Sequence, residues 1–514
     1  MHRALTVALA AALVSTSLPA FAQDQGNGSG PVVSLPPPAS DAVHAGYRGM
    51  FYVTDDSGNY RLYLQGRAQI DSYNYFGKGI PDTTLKSTVF LRRIRPEITG
   101  EILKRWQFMF AGDFGQTDVD NGKGLNPAAR GSPSDPAARF GSAQTPSVKA
   151  APTDVFVNYR ADGLLNVQVG QFDAPFTLEN RTSDKYIPFM ERSLAVRALG
   201  IPTNKELGGM LWGETGNKLL FYSAGVFNGD GQNRPGMDNR VDTMGRVFVH
   251  PLVGVDKALK DVQLGGSFRW GQRDKSYVYY DYASMTTQGN FKFWNPVYKS
   301  AAVGGVDTYT HVIPAGSQLG LAAELRVPIG DIFDLTSELV YVKNQTREAL
   351  EGYEATNTER FGDLHGYAYY VQAGFWPLGQ RDINGTPGYE NPTHLDLKKP
   401  VPSTPPQALQ ILVKWEQLNT TYNSASRSGT PDSKNIDGKI KVNALSLGAN
   451  YWATKHIRLS ANYVLNAFPG SKGDATSDQR AMSPANQLKK GINDDARDNA
   501  HFFHELLFRV AVAL

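Results

Sequence analysis

From residue 47 onward the chain repeats one pattern: segments of about ten residues in which apolar and polar side chains alternate, separated by turn-forming residues. Period two is the spacing of a strand with two unlike faces. In "YRLYLQGRAQID", Leu62, Leu64, Ala68 and Ile70 share one face, and Arg61, Tyr63, Gln65, Arg67, Gln69 and Asp71 share the other. The division recurs in "VQLGGSFRWG" (Val262, Leu264, Phe268 and Trp270 against Gln263, Ser267 and Arg269) and in "QLGLAAELRVP" (Leu319, Leu321, Ala323, Leu325 and Val327 against Glu324 and Arg326). It returns in "ALQILVKWEQ", where Leu409, Ile411, Val413 and Trp415 oppose Gln410, Lys414 and Glu416. In "HIRLSANYVLN", Ile457, Leu459, Ala461, Tyr463 and Leu465 oppose His456, Arg458, Ser460, Asn462 and Asn466. About sixteen such segments follow one another.

A single segment of this kind suits a soluble sandwich as well as a strand that crosses a bilayer at a tilt. The set decides between them. Trp106, Trp270, Tyr341, Phe375, Trp415, Tyr451 and Tyr463 stand near the ends of the apolar faces, where a bilayer interface favours amphipathic rings. The connections alternate in length: "EILKR" (101–105) and "YWATKHI" (451–457) are tight, whereas 116–152, 271–317, 378–407 and 467–500 are long, polar and rich in Gly, Pro and Asp. Short turns at one end and long outer loops at the other belong to an outer-membrane barrel. The final run "FFHELLFRVAVAL" alternates to its last residue, with Leu506, Phe508, Val510, Val512 and Leu514 opposite Arg509, as a strand that closes a ring onto the first one requires. The expected fold is all-β: a transmembrane antiparallel β-barrel of about 16 strands.

Composition agrees with this and excludes other classes. Fifty-one glycines and 56 aromatic residues (Tyr 24, Phe 25, Trp 7) make a strand-and-turn mixture. There is no cysteine, so neither disulfides nor thiolate metal sites are available. A net charge of +3 lacks the positive excess of a nucleic-acid partner. The start has the three parts of a secretory signal peptide: basic His2 and Arg3, apolar Ala4 to Val14, and the small-x-small site Ala20-Phe21-Ala22. A signal peptide over 1–22, a Gly/Ser/Pro-rich leader without fixed structure over 23–46, and a barrel over 47–514 are expected. Beyond the signal, no stretch approaches the roughly 18–20 apolar residues of a membrane helix.

Enzyme signatures are poor. "HELLF" at His504 lacks the second histidine of a zinc-protease helix, and "DFG" at 113–115 has no other kinase element beside it. A barrel phospholipase needs a Ser/His pair, yet His456 and Ser460 lie two side chains apart on the lumen face. No enzymatic activity, cofactor or metal is expected.

Four blocks carry a family likeness: "GMFYVTDDSGNYRLYLQGRAQIDSYNYF", "STVFLRRIRPEITGEILKRWQFMFAGDFG", "VNYRADGLLNVQVGQFDAPFTLENRTSDKYIPFMERSL" and "LSLGANYWATKHIRLSANYVLNAF". With these the chain resembles the phosphate-selective porin O and P family of bacterial outer membranes. The resemblance implies a sixteen-stranded barrel among outer-membrane lipid, a homotrimer, and a pore for small anions such as phosphate or polyphosphate. It also implies a ladder of lumen arginines, with Arg61, Arg67, Arg93 and Arg95 in matching blocks, leading to a lysine-lined constriction.

Alternation in "FLRRIRPEITG" puts Arg93 and Arg95 with Glu97 and Thr99, opposite Phe90, Ile94 and Ile98. Arg92 then falls on the apolar face, where a mid-bilayer guanidinium costs roughly 2–4 kcal/mol, so an interfacial or subunit-contact position is expected for it. Arg269, Arg326 and Arg458 join the anion-guiding set by their parity; Lys414 and Arg509 share it, and so do Asp71, Asp113, Glu324 and Glu416, which make the lumen mixed. In 168–199 a strand, 166–172, gives way near Pro175 to a run without lipid-facing alternation, and Pro188 also interrupts pairing. The residues alone leave an external loop open. The resemblance implies a loop folded into the lumen that narrows the pore, with Arg181, Lys185, Arg192 and Arg197 supplying positive charge and Glu179 and Glu191 as partners. A general diffusion or sugar porin, guided by inward tyrosines such as Tyr63 and Tyr370, is the alternative.

Overall fold

The computed structural model describes residues 42–47, 50–76, 87–115, 151–202, 204–236, 238–255, 257–274, 280–294, 296–299, 309–350, 360–384, 407–426, 436–469 and 502–514. The expected signal peptide and nearly all of the expected leader lie outside the described residues, as do 116–150, 385–406 and 470–501 of the long connections.

Sixteen strands form one ring. In chain order they are β1 (Tyr60–Phe76), β2 (Thr88–Ile102), β3 (Trp106–Asp113), β4 (Ala151–Arg160), β5 (Asn166–Asp173), β6 (Lys205–Glu214), β7 (Leu220–Phe227) and β8 (Asp242–Val249). There follow β9 (Gln263–Arg273), β10 (Tyr309–Ile329), β11 (Phe333–Leu350), β12 (Arg360–Leu378), β13 (Ala408–Ser426), β14 (Ile436–Thr454), β15 (Ile457–Ala467) and β16 (Phe502–Ala513). Each pairs antiparallel with its sequence neighbours, and β16 pairs back onto β1 from His504 opposite Phe76 to Ala513 opposite Arg67. Closure leaves the ring without an edge, which is what lets strands satisfy their backbone groups in lipid.

The two faces follow the sequence alternation. Leu64, Ile70, Leu264, Phe268, Leu321, Ile411, Val413, Leu459, Phe508 and Val510 are exposed on the outside, while Tyr63, Gln69, Asp71, Gln263, Glu324, Lys414, Glu416, Arg458 and Arg509 are buried inside. Trp106, Trp270, Phe375 and Trp415 are exposed on the outer face.

One strand breaks the alternation. Opposite β1, Gln69 pairs with Arg93 but Ile70 pairs with Leu91, so Arg92 is an extra, bulged residue. The bulge places Arg92 and Arg93 on the same side and reverses parity beyond it: Val89 and Leu91 face outward and Phe90 is buried inside against Tyr73. The expected lipid-side positions of Arg92 and Phe90 are thereby corrected.

Outside the ring, Val43–Tyr47 and Phe51–Asp55 form a hairpin whose second strand pairs with Arg61–Leu64 of β1. It takes over the edge of β1 where β16 ends, at the Gly66–Leu514 backbone pair. Residues 43–46, expected to be unstructured leader, are thus part of a strand.

Strand parity also corrects one connection. An up-and-down ring sends the links after even-numbered strands to the end of the tight turns, and 379–407 joins β12 to β13. Its first turn, Arg381–Asn384, stays at that end: Arg381 donates to the Gly330 carbonyl (2.8 Å) and to Asp261 (2.6 Å), both in neighbouring turns. The reading of 378–407 as an outer loop does not hold.

Candidate functional site: the charged lumen

Two segments pack against inward-facing residues of the wall. The link between β5 and β6 contains two short helices, α1 (Leu178–Arg181) and α2 (Leu194–Leu199), each opened by a hydroxyl cap: the Thr177 side chain accepts from the Asn180 amide and that of Ser193 from the Val196 amide. Wall carboxylates complete both helix starts. Glu338 of β11 accepts from the Leu178 and Glu179 amides and from the Tyr370 hydroxyl, and Glu416 of β13 accepts from the Leu194 amide. Elsewhere the Thr177 amide donates to Ser267 of β9, while Asn450 of β14, Arg458 of β15 and Arg509 of β16 donate to the carbonyls of Pro188, Ile187 and Met190. These partners are inward-facing side chains of β9 and of β11 round to β16.

Aromatic side chains seat this segment on glycines. An added Cβ at Gly320 of β10 would stand 2.9 Å from the Phe176 ring, and one at Gly448 of β14 would stand 3.0 Å from the Phe189 ring. Phe189 in turn lies under the Lys414 ammonium, 4.6 Å from the ring centre.

The second segment, 280–299, belongs to the connection read from sequence as an external loop at 271–317. Its described part turns inward. Met285, Phe293 and Trp294 are wholly buried against an apolar patch of inward positions on β11–β14, including Val340, Val342, Leu364, Leu418, Tyr422 and Val442. Gln288 donates to Glu416 (3.0 Å) and Ser446 (2.8 Å), and the Gly289 amide donates to Glu505 (3.0 Å). An apolar patch inside a barrel that is also apolar outside needs a cover, and this segment is it.

Asp184 is the centre of the charge network. It holds Arg93 at 3.0 Å, Arg95 at 2.8 Å and Arg192 at 2.5 Å. Burial raises its carboxyl, but the three guanidiniums outweigh burial and hold it well below the usual carboxylate range. Beside it, Glu191 receives a forked pair from Arg92 (3.0 and 3.1 Å) and a bond from Arg509 (3.0 Å), itself forked onto Asp71 (2.7 and 2.7 Å). Lys185 and Arg67 share Glu97 at 2.6 and 3.1 Å.

The remaining anticipated site residues are also held. Arg61 lies 3.7 Å from Glu101, Arg269 2.7 Å from Asp242 and Arg326 2.6 Å from Asp334. Arg181 donates to the Asp173 carbonyl, and Arg197 to the carbonyls of Arg192 (2.7 Å) and Thr286. Among the described residues Arg458 has no carboxylate partner; it donates to the Ile187 carbonyl at 3.2 Å and stands over Trp452. All seven wall arginines thus lie on the inward side, but six of them are tied into ion pairs. Sequence reasoning missed Arg92, Asp184, Arg246 (2.8 Å from Glu324) and Arg273 (2.6 Å from Asp242). The Arg92–Arg93 doublet in a strand was the available signal of a bulge.

Open space remains on both sides of the 174–204 segment. Toward the long loops lies a cavity of about 310 Å³ lined by Arg92, Arg93, Arg192, Arg197, Arg234, Arg269 and Arg273, with Glu191, Asp230 and Asp281 as the acidic residues. Toward the turns lies one of about 250 Å³ lined by Arg67, Lys185, Lys455, His456 and Arg458, with no acidic side chain.

In comparisons with known proteins, the model of the family described as phosphate-selective porin O and P matches residues 63–262, from within β1 to the residue before β9. No curated protein matches the sequence. Among solved structures, OmpT of Vibrio cholerae shares 10% identity over 89% of this chain and 98% of its own, with a TM-score of 0.43. The outer membrane channel DcaP of Acinetobacter baumannii shares 10% over 90% and 99%, with 0.44, and an anion-selective porin from Comamonas acidovorans 12% over 88% and 100%, with 0.38. The model of that family thus matches the first eight strands of a closed barrel of sixteen, and over that half of the ring the chain is similar to the phosphate-selective porins of bacterial outer membranes.

Proposed function

We propose that the chain forms a passive channel that favours anions, with phosphate or polyphosphate as the preferred class, a homotrimer as its assembly, and the 174–204 segment as its constriction. The observation that carries this reading is the positive excess on both sides of that segment: seven arginines against three acidic residues in one cavity, and Arg67, Lys185, Lys455 and Arg458 with no acidic side chain in the other. In a narrow, partly desolvated lumen such an excess acts on a passing ion far more strongly than in bulk water. Carboxylate pairing fixes each guanidinium in place while leaving further N–H groups for an oxyanion. Lys185 and Arg192 stand at the constriction, and Arg458 supplies the least compensated charge. The family's description supports phosphate as the preferred class.

Reversal potentials of the purified protein in planar bilayers under a potassium chloride gradient test the sign. Anion preference is expected; cation preference would leave only a general porin. Phosphate should lower chloride conductance with saturation, and sugars should not.

One observation favours the alternative of a sugar or general diffusion porin. Trp376 and Trp452 stack inside the barrel near the turns, 5.1 Å between ring centres, and Trp452 lines the cavity on that side, where a sugar ring could meet its edge. Block of chloride current by sugars but not by phosphate would select it.

A further inference from the structure

The outer surface of β11–β14 carries charge that the pore does not use. Pairing lines up Lys343, His365, Thr421 and Lys439 across these four strands. The next row toward the turns is Tyr341, Tyr367, Asn419 and Lys441. Lys343, Lys439 and Lys441 are exposed. They are the only lysines at outward-facing positions of the described barrel strands. Below them the same four strands present Leu339, Val371, Trp415 and Leu447 to the outside.

The row beyond the lysines holds two acidic positions, Asp363 and Asp437; Asp363 is engaged locally by His365 (2.7 Å) and by the Asn423 amide (2.9 Å), and the three lysines outnumber the two acids. Asn419 donates to the Tyr367 hydroxyl, which turns that hydroxyl's own proton outward. What remains is a surface of ammonium and hydroxyl donors directly above an apolar band, at the depth where tyrosine marks the headgroup boundary. It lies at the end of the long loops, which in such barrels is the outer leaflet. Strand spacing puts Lys343 and Lys439 about 15 Å apart and the two β14 lysines about 7 Å apart. That span fits a headgroup with more than one phosphate better than a single small ion.

We propose that this face binds a phosphorylated saccharolipid of the outer leaflet, its phosphates held by Lys343, Lys439 and Lys441 and its acyl chains lying along the apolar band beneath. Titration of the detergent-purified protein with diphosphoryl lipid A, followed by native mass spectrometry, tests it. Replacing all three lysines (K343Q/K439Q/K441Q) should weaken binding on the order of a hundredfold, while K343R/K439R/K441R should keep it. Conductance and heat-modified gel mobility, unchanged in both, would show that the barrel is intact. Equal binding of lipid A by the glutamine triple would overturn the proposal. So would equal binding of the dephosphorylated lipid to the wild type, or displacement of lipid A by equimolar inorganic phosphate, which would mark a simple anion site. A change in subunit number in the glutamine triple would identify the face as a subunit contact instead.

Discussion

Arg458 and Arg326 have the same parity and the same depth of burial, yet their surroundings differ. Asp334 neutralises Arg326 at 2.6 Å, whereas Arg458 faces a cavity without an acidic side chain. Arg458→Gln should therefore reduce the anion-to-cation permeability ratio several-fold, and Arg326→Gln should change it little while loosening the wall; reversal potentials on the two variants check this. Asp184 belongs to the opposite case, a carboxylate on which three guanidiniums depend. Its removal leaves buried positive charge unpaired, which in such networks costs about 3–5 kcal/mol. Asp184→Asn should give a mobile constriction and noisy open-channel current at neutral pH. In the wild type the same group sets the acid limit. Its carboxyl is held well below the ordinary value of about 3.9, so its contribution is full above that value and is lost only as pH falls through the lowered one. Open-channel noise should stay flat from pH 7 to about pH 4 and rise only in stronger acid.

The strands themselves were legible because one face meets lipid along its whole length, so the period of two survives in the sequence. It fails where something other than lipid or water faces the strand. The Arg92 bulge is such a place: two arginines in succession turn inward, and every residue before them changes face, so alternation extrapolated through Phe90 gave the wrong side. The 174–204 segment is another, where loss of pattern marked an element that pairs with no strand. Its seats are glycines, which leave no trace in a hydrophobic pattern. Gly320→Val should displace Phe176 and release α1 from Glu338 while leaving the ring paired. The expected outcome is protease cleavage between Pro175 and Pro188 in a barrel that still migrates as folded, and cleavage no faster than in the wild type would sink the idea.

At the scale of the whole molecule the charges nearly cancel: 52 basic against 49 acidic residues, most of those in the lumen tied in pairs. The inward turn of 280–299 was not read from the sequence because the run sits within a long connection rich in Gly, Asp and other polar residues; Met285, Phe291, Phe293 and Trp294 were its signal, and the surface they cover is formed elsewhere in the chain, by the apolar inner positions of β11–β14. The same separation applies to function, since pairing converts an apparent ladder of arginines into a rigid wall with a small net field. Salt should therefore act on the two properties differently. The field reaches ions through water, where the screening length falls from roughly 10 Å at 0.1 M to 3 Å at 1 M; the network around Asp184 is buried and screened far less. Anion-to-cation permeability should fall steeply over that range, while open-channel noise stays constant. If noise rose together with the loss of selectivity, the constriction would be held by exposed charge, and the buried pairs at Asp184 and Glu191 would not be what fixes it.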